Sequence, residues 1–118
     1  MAATPRIEVR VENDVQVITF KDRLVFDDRT VRETADGIAA AIPTDGSAAR
    51  VILDFSGVEL ISSAFLGKLI LFQRRIDATG GKLRLCECSN TVASVFRTSN
   101  LDRLFAIDRD VRAALEHV

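Results

Sequence analysis

The run Val51-Ile52-Leu53-Asp54-Phe55 is apolar at every position but Asp54 and carries no alternating polar face. A strand of this kind is closed to water on both sides and sits centrally in its sheet. After a loop, Phe65, Leu66, Leu69, Ile70, Phe72 and Ile76 recur at helical spacing from Ser63 onward, with Lys68, Gln73, Arg74, Arg75 and Asp77 expected elsewhere on the surface. Gly80-Gly81 stops that helix. The middle of the chain is therefore a strand, loop and helix built around a buried strand, and the rest of the sequence has to cover it.

Ile7, Val9 and Val11 alternate with Glu8, Arg10 and Glu12, the period of a half-buried strand, and Asn13-Asp14 supplies turn chemistry before the β-rich run Val15 to Phe20. Residues 6 to 20 thus read as an N-terminal hairpin, left through the polar Lys21-Asp22-Arg23. Asp27 and Asp28 open an amphipathic helix through Val31, Ala35, Ile38, Ala39 and Ile42, which Pro43 ends. Beyond the central unit, Leu83 and Leu85 mark a strand, and Val92, Val95 and Phe96 a short helix ending at Asn100. Leu104 to Ile107 reads as a last strand, and Asp108 as the cap of a terminal helix presenting Val111, Ala114, Leu115 and Val118. The order β-β-α-β-α-β-α-β-α implies an α/β fold with a mixed sheet, parallel through its later strands because crossover helices require it. Residues 1–118 are read as one domain, with 1–5 a flexible end.

Composition narrows the function. Sixteen Lys and Arg against seventeen Asp and Glu leave a net charge of −1, so no global basic field draws nucleic acid or anionic lipid. The longest unbroken apolar run, Leu69 to Phe72, is far below the ~20 residues of a membrane span. Neither partner is expected, and the N-terminus has no signal pattern, so the protein is read as cytoplasmic. The single histidine is His117, and Trp and Tyr are absent, a poor inventory for acid–base catalysis. An enzyme is the weakest reading, and no cofactor is implied. Cys86 and Cys88 are expected on one face of a strand; without partners at zinc spacing they read as buried, reduced thiols and not as a metal site.

The segment from Val51 through Phe55-Ser56-Gly57-Val58 to Ser62-Ser63-Ala64-Phe65-Leu66-Gly67 resembles the signature of STAS domains, the family of bacterial anti-sigma-factor antagonists. In that signature a strand ending in Asp-Leu-Ser-Gly-Val leads to an Asp-Ser-Ser-Gly-Leu-Gly turn. The likeness extends to Gly80-Gly81-Lys82-Leu83-Arg84-Leu85, to Val95-Phe96 and to Asn100-Leu101-Asp102-Arg103-Leu104-Phe105. The resemblance implies a sheet with its helices mainly on one face and a functional serine at the start of the helix after the central strand. It also implies protein partners: an anti-sigma factor that is a serine kinase, and a PP2C-type phosphatase that restores the serine. Laid on this chain, the acceptor falls on Ser63, with Ser62 the second choice, and the partner surface on Glu59, Ser62, Ser63, Ala64 and Lys68. The chain departs from the signature with Ser62 for Asp, Ala64 for Ser and Phe65 for Gly.

Elementary electrostatics suits that position. A helix N-terminus offers unpaired N–H groups and the positive end of the dipole, so a phosphate there is tolerated by the fold and acts on the partner instead. Glu59 would add to the repulsion. Serine is also a common helix cap, and Ser62 is expected to be the cap and Ser63 the acceptor, with Phe65 in the core. Two other readings stay open: an unphosphorylated subunit of a larger assembly, such as a lipid-transport ABC complex, and a homodimer.

Overall fold

The computed structural model describes residues 5–118, so the N-terminal end expected at 1–5 lies outside the described residues except for Pro5. Strands β1 (Ile7–Glu12) and β2 (Val15–Phe20) form the hairpin, antiparallel with Glu12 opposite Val15. Its two-residue turn places Asn13 and Asp14 at φ 52° and 63°, the left-handed geometry that matches the twist of a tight hairpin. Strand β3 (Leu24–Val25) and helix α1 (Asp28–Ala41) follow, then the central β4 (Arg50–Asp54), β5 (Leu60–Ile61) and helix α2 (Ser63–Ala78). Strand β6 (Lys82–Cys86), helix α3 (Asn90–Thr98), a 3-10 turn at Leu101–Arg103, β7 (Ala106–Asp108) and α4 (Val111–His117) complete the order.

The main sheet runs β1-β2-β4-β6-β7, parallel from β2 onward, as the crossover helices demand. Its two faces bury separate clusters. Ile18, Phe20, Val51, Leu53, Leu83 and Leu85 point to one face and pack beneath α1, α2 and α3. Val15, Val17, Ile52 and Cys86 point to the other and pack beneath Ala114 of α4. Helices therefore lie mainly on one face, and alternation within each strand decides which cluster a residue joins. Four phenylalanines form a chain through the larger cluster: Phe20 stacks on Phe55 at 4.8 Å, Phe55 meets Phe96 edge-on, and Phe96 meets Phe105 at 5.6 Å.

Several expectations are corrected. The apolar row of β1 is not half-buried: α1 meets it at Ile7, against which Gly37 packs, while Val9 and Val11 are exposed. Asp108 does not cap the terminal helix, because it belongs to β7 and binds Arg84 through both carboxylate oxygens; Asp110 is the cap, accepting from the Ala113 amide at 2.9 Å. The short helix ends at Thr98, two residues before Asn100, whose φ of 59° opens the 3-10 turn. Cys86 and Cys88 do not share a face, since Glu87 between them has φ 59° and ends the alternation; Cys86 joins the α4 cluster and Cys88 packs on the other. The segment after β2 is not merely a polar exit, for it leads into β3.

Candidate functional site

The loop between β4 and α2 is organised by its own side chains. Asp54, buried at the strand end, accepts from the Ser56 amide at 2.9 Å, and the Val58 amide closes a turn onto the Phe55 carbonyl at 2.9 Å with Gly57 at φ +83°. The returning chain is then held by β3. The amides of Glu59 and Leu60 both donate to the Arg23 carbonyl, the strands pair in parallel with Leu24 beside Leu60 and Val25 beside Ile61, and the Ser62 amide donates to the Val25 carbonyl at 3.0 Å. This two-stranded ladder fixes where α2 begins.

At that point the two serines diverge. Ser62 is in extended conformation, nearly closed to solvent, and its Oγ accepts from the Phe65 amide at 3.2 Å while its carbonyl accepts from the Leu66 amide at 3.1 Å. It is the helix cap. Ser63 is the first helical residue and is exposed, as is Ala64 after it. Capping leaves the first two amides of the helix, those of Ser63 and Ala64, directed out of its positive end. Phe65 is fully buried and meets Phe20 edge-on at 5.9 Å, so it belongs to the core.

The remaining residues expected at this surface are exposed, but Lys68 does not share the helix face of Ser63. Glu59 is exposed and pairs with Arg23 at 3.2 Å. Lys68 is exposed on α2, more than a turn beyond Ser63. Two residues escaped sequence reasoning: Leu24 and Phe26 are both more than half exposed and flank the serines through the β3–β5 ladder. Their signal is an apolar residue on either side of the buried Val25, legible only once the ladder is known.

A family model for the STAS domain matches residues 6–114. The chain belongs to the STAS domain family. A STAS protein of Planctomyces limnophilus, described as an anti-sigma-factor antagonist, is 25% identical, with TM-score 0.86 over 98% of this chain and all of that one (100%). A Thermotoga maritima chain ascribed to the anti-sigma-factor antagonists is 22% identical, with TM-score 0.80 over 95% of this chain and 93% of that one. The Bacillus cell-fate determinant SpoIIAA in its phosphorylated form is 22% identical, with TM-score 0.66 over 93% of this chain and 96% of that one. Among curated proteins none matches.

Within the STAS fold, the departures from the signature have physical readings. Ser62 in place of Asp preserves the cap, because both side chains accept from the same helix amide. Phe65 in place of Gly fills the core beside Phe20 and leaves the surface unaltered. Ala64 in place of Ser removes a hydroxyl from an exposed position. The STAS family of anti-sigma-factor antagonists consists of binding modules. Burial pushes the Cys86 thiol up to about 12 and the Cys88 thiol up to about 11, with the Asp54 carboxylate adding to both, so neither is a ready nucleophile. Among the described residues no group of three metal-ligating side chains comes together, and no helix is long and apolar enough to cross a membrane.

Proposed function

We propose that this STAS domain is an anti-sigma-factor antagonist: it docks on an anti-sigma factor that is a serine kinase, is phosphorylated at Ser63, and is restored by a PP2C-type phosphatase. The observation that carries the reading is the division of labour at the start of α2, where Ser62 is consumed as the cap and Ser63 stands exposed on the first turn. Support comes from SpoIIAA, a structural relative known in a phosphorylated form. A dianion on Ser63 is stabilised by the amides and dipole of the helix start, so the free energy of modification is not taken from the fold. It falls on the partner, which would have to bury a charged and strongly hydrated group beside Glu59.

The test is incubation with the kinase and ATP followed by phosphosite mapping. Modification at Ser63, abolished in Ser63→Ala and retained in Ser62→Ala, is the expected result; modification confined to other residues removes Ser63 from the account. Ser63→Asp should lose partner binding while its melting temperature stays within ~2 °C of wild type, because a carboxylate at this end of a helix is neutral to slightly stabilising. In the second reading, a subunit of a lipid-transport complex, Ser63 is never modified and Ser63→Asp leaves assembly intact; the altered residues around Ser63, namely Ser62, Ala64 and Phe65, motivate that reading.

A further inference from the structure

Helices α1 and α2 lie side by side over the sheet, and a groove of about 220 Å³ runs between them. Ala35 and Ala39 of α1 and the buried Phe72 of α2 give it an apolar lining, and Leu71, 56% exposed, stands at its side. Its charges are uneven. Lys68 and Arg75 line the α2 side, and Asp36 lines the α1 side, one turn beyond the exposed Arg32. Among the described residues none of Arg32, Lys68 and Arg75 forms an ion pair, whereas Glu33 on α1 is already engaged by Arg6 and Arg29. Two unpaired cations against one carboxylate therefore line an apolar slot, with Arg32 a turn away along α1, in a chain whose net charge is −1.

We infer that this groove receives an acidic, amphipathic helical segment of the partner protein, with its apolar side chains against Leu71 and Phe72 and its carboxylates against Arg32, Lys68 and Arg75. An exposed leucine beside a concave apolar floor suits the spaced side chains of a helix. The cationic rim selects carboxylates and speeds their approach. A second copy of this chain docking by the same face would bring like charges together, and a flat bilayer cannot fill a slot of this kind. The inference deepens the reading of Ser63 as the partner-facing switch and rests on it. Ser63 and Lys68 are five residues apart on one helix, about 7.5 Å along the axis and about 140° around it. A phosphate at Ser63 would thus stand around the helix from the groove, and would weaken the docking of an acidic segment through longer-range repulsion across the end of α2.

The test places a photo-crosslinking p-benzoylphenylalanine at Leu71 in one variant and at Asp36 in another, irradiates each in the cells that produce the protein, and sequences the attached peptide. A segment with net negative charge and apolar residues at helical spacing is expected at either position. Lys68→Glu combined with Arg75→Glu should lower the cross-linked yield by about tenfold or more with an unchanged melting temperature. Attachment to a neutral or basic segment, to this chain itself or to phospholipid overturns the inference. So does undiminished yield in the charge-reversed variant, or no attachment from both positions. Ser63→Asp separates the two proposals. Capture that survives Ser63→Asp but fails on charge reversal keeps the groove and discards the switch; the opposite pattern keeps the switch and discards the groove.

Discussion

The Ser62 hydroxyl accepts from the Phe65 amide in a position nearly closed to water, while Ser63, one residue later, faces solvent. Removing the Ser62 hydroxyl leaves that amide without its partner, a loss of about 1 kcal/mol. Ser62→Ala should accordingly melt about 4 °C below wild type, and Ser62→Asp, which restores an accepting oxygen, should recover most of that loss. Equal melting temperatures for Ser62→Ala and wild type in thermal unfolding would remove the capping role. The cap and the buried Phe65 were both legible in the sequence, since a serine before an apolar helical run and an aromatic on its inner face follow general rules. The neighbours Leu24 and Phe26 were not, because their approach to the serines depends on a ladder between residues 24–25 and 60–61. Strands of two residues carry no periodicity to read.

At the level of elements, α1 is tied down by carboxylates. Asp27 caps it by accepting from the Thr30 amide at 3.1 Å, and Arg6, just before β1, reaches both Asp22 at 3.1 Å and Glu33 at 3.0 Å. The bond to Thr30 holds Asp27 below its ordinary value of 3.8, and the bond to Arg6, seconded by Arg29, holds Glu33 below 4.5. A carboxyl depressed in the folded state binds fewer protons folded than unfolded, so its contribution is complete above the ordinary value and is lost as pH falls through the folded one. Urea midpoints should therefore be flat from pH 7 to about pH 5 and fall below about pH 4.5, with a shallower fall in Glu33→Gln. A slope in Glu33→Gln as steep as wild type would show that the Arg6 pair adds nothing. The helix itself was legible from Asp27 to Pro43, but the pairing of Arg6 with Glu33 joins residues 27 positions apart and leaves no mark on local pattern. The same lack of local signal misplaced the last cap: Asp108 and Asp110 are equally good cap residues by type, and only the claim of Arg84 on Asp108 decides between them.

Across the whole molecule, the sheet separates two clusters that share strands but not side chains. Alternation in β2 sends Val15 and Val17 beneath α4 and Ile18 and Phe20 beneath α1 to α3, where the order of elements implied only a mixed sheet and the resemblance only helices mainly on one face. It did not reveal that Cys86 and Cys88 fall on opposite sides, because strand period was carried past Cys86 where the positive φ of Glu87 breaks it. The pair now reports on each cluster separately. Ala114 is fully buried over Val15, Val17, Ile52 and Cys86, so Ala114→Asp places an unpaired carboxylate there, at a cost of about 3 kcal/mol or more. The smaller cluster is only one helix deep, and lifting α4 relieves the charge without disturbing Phe55, Phe65 or Phe96 on the other face. Cys86 should then react with a thiol reagent at pH 8 many times faster than in wild type, while Cys88, still packed against the larger cluster, stays slow. Equal acceleration of both thiols would mean that the two faces unfold as one unit, and that α4 is as integral to the fold as the helices over the main core.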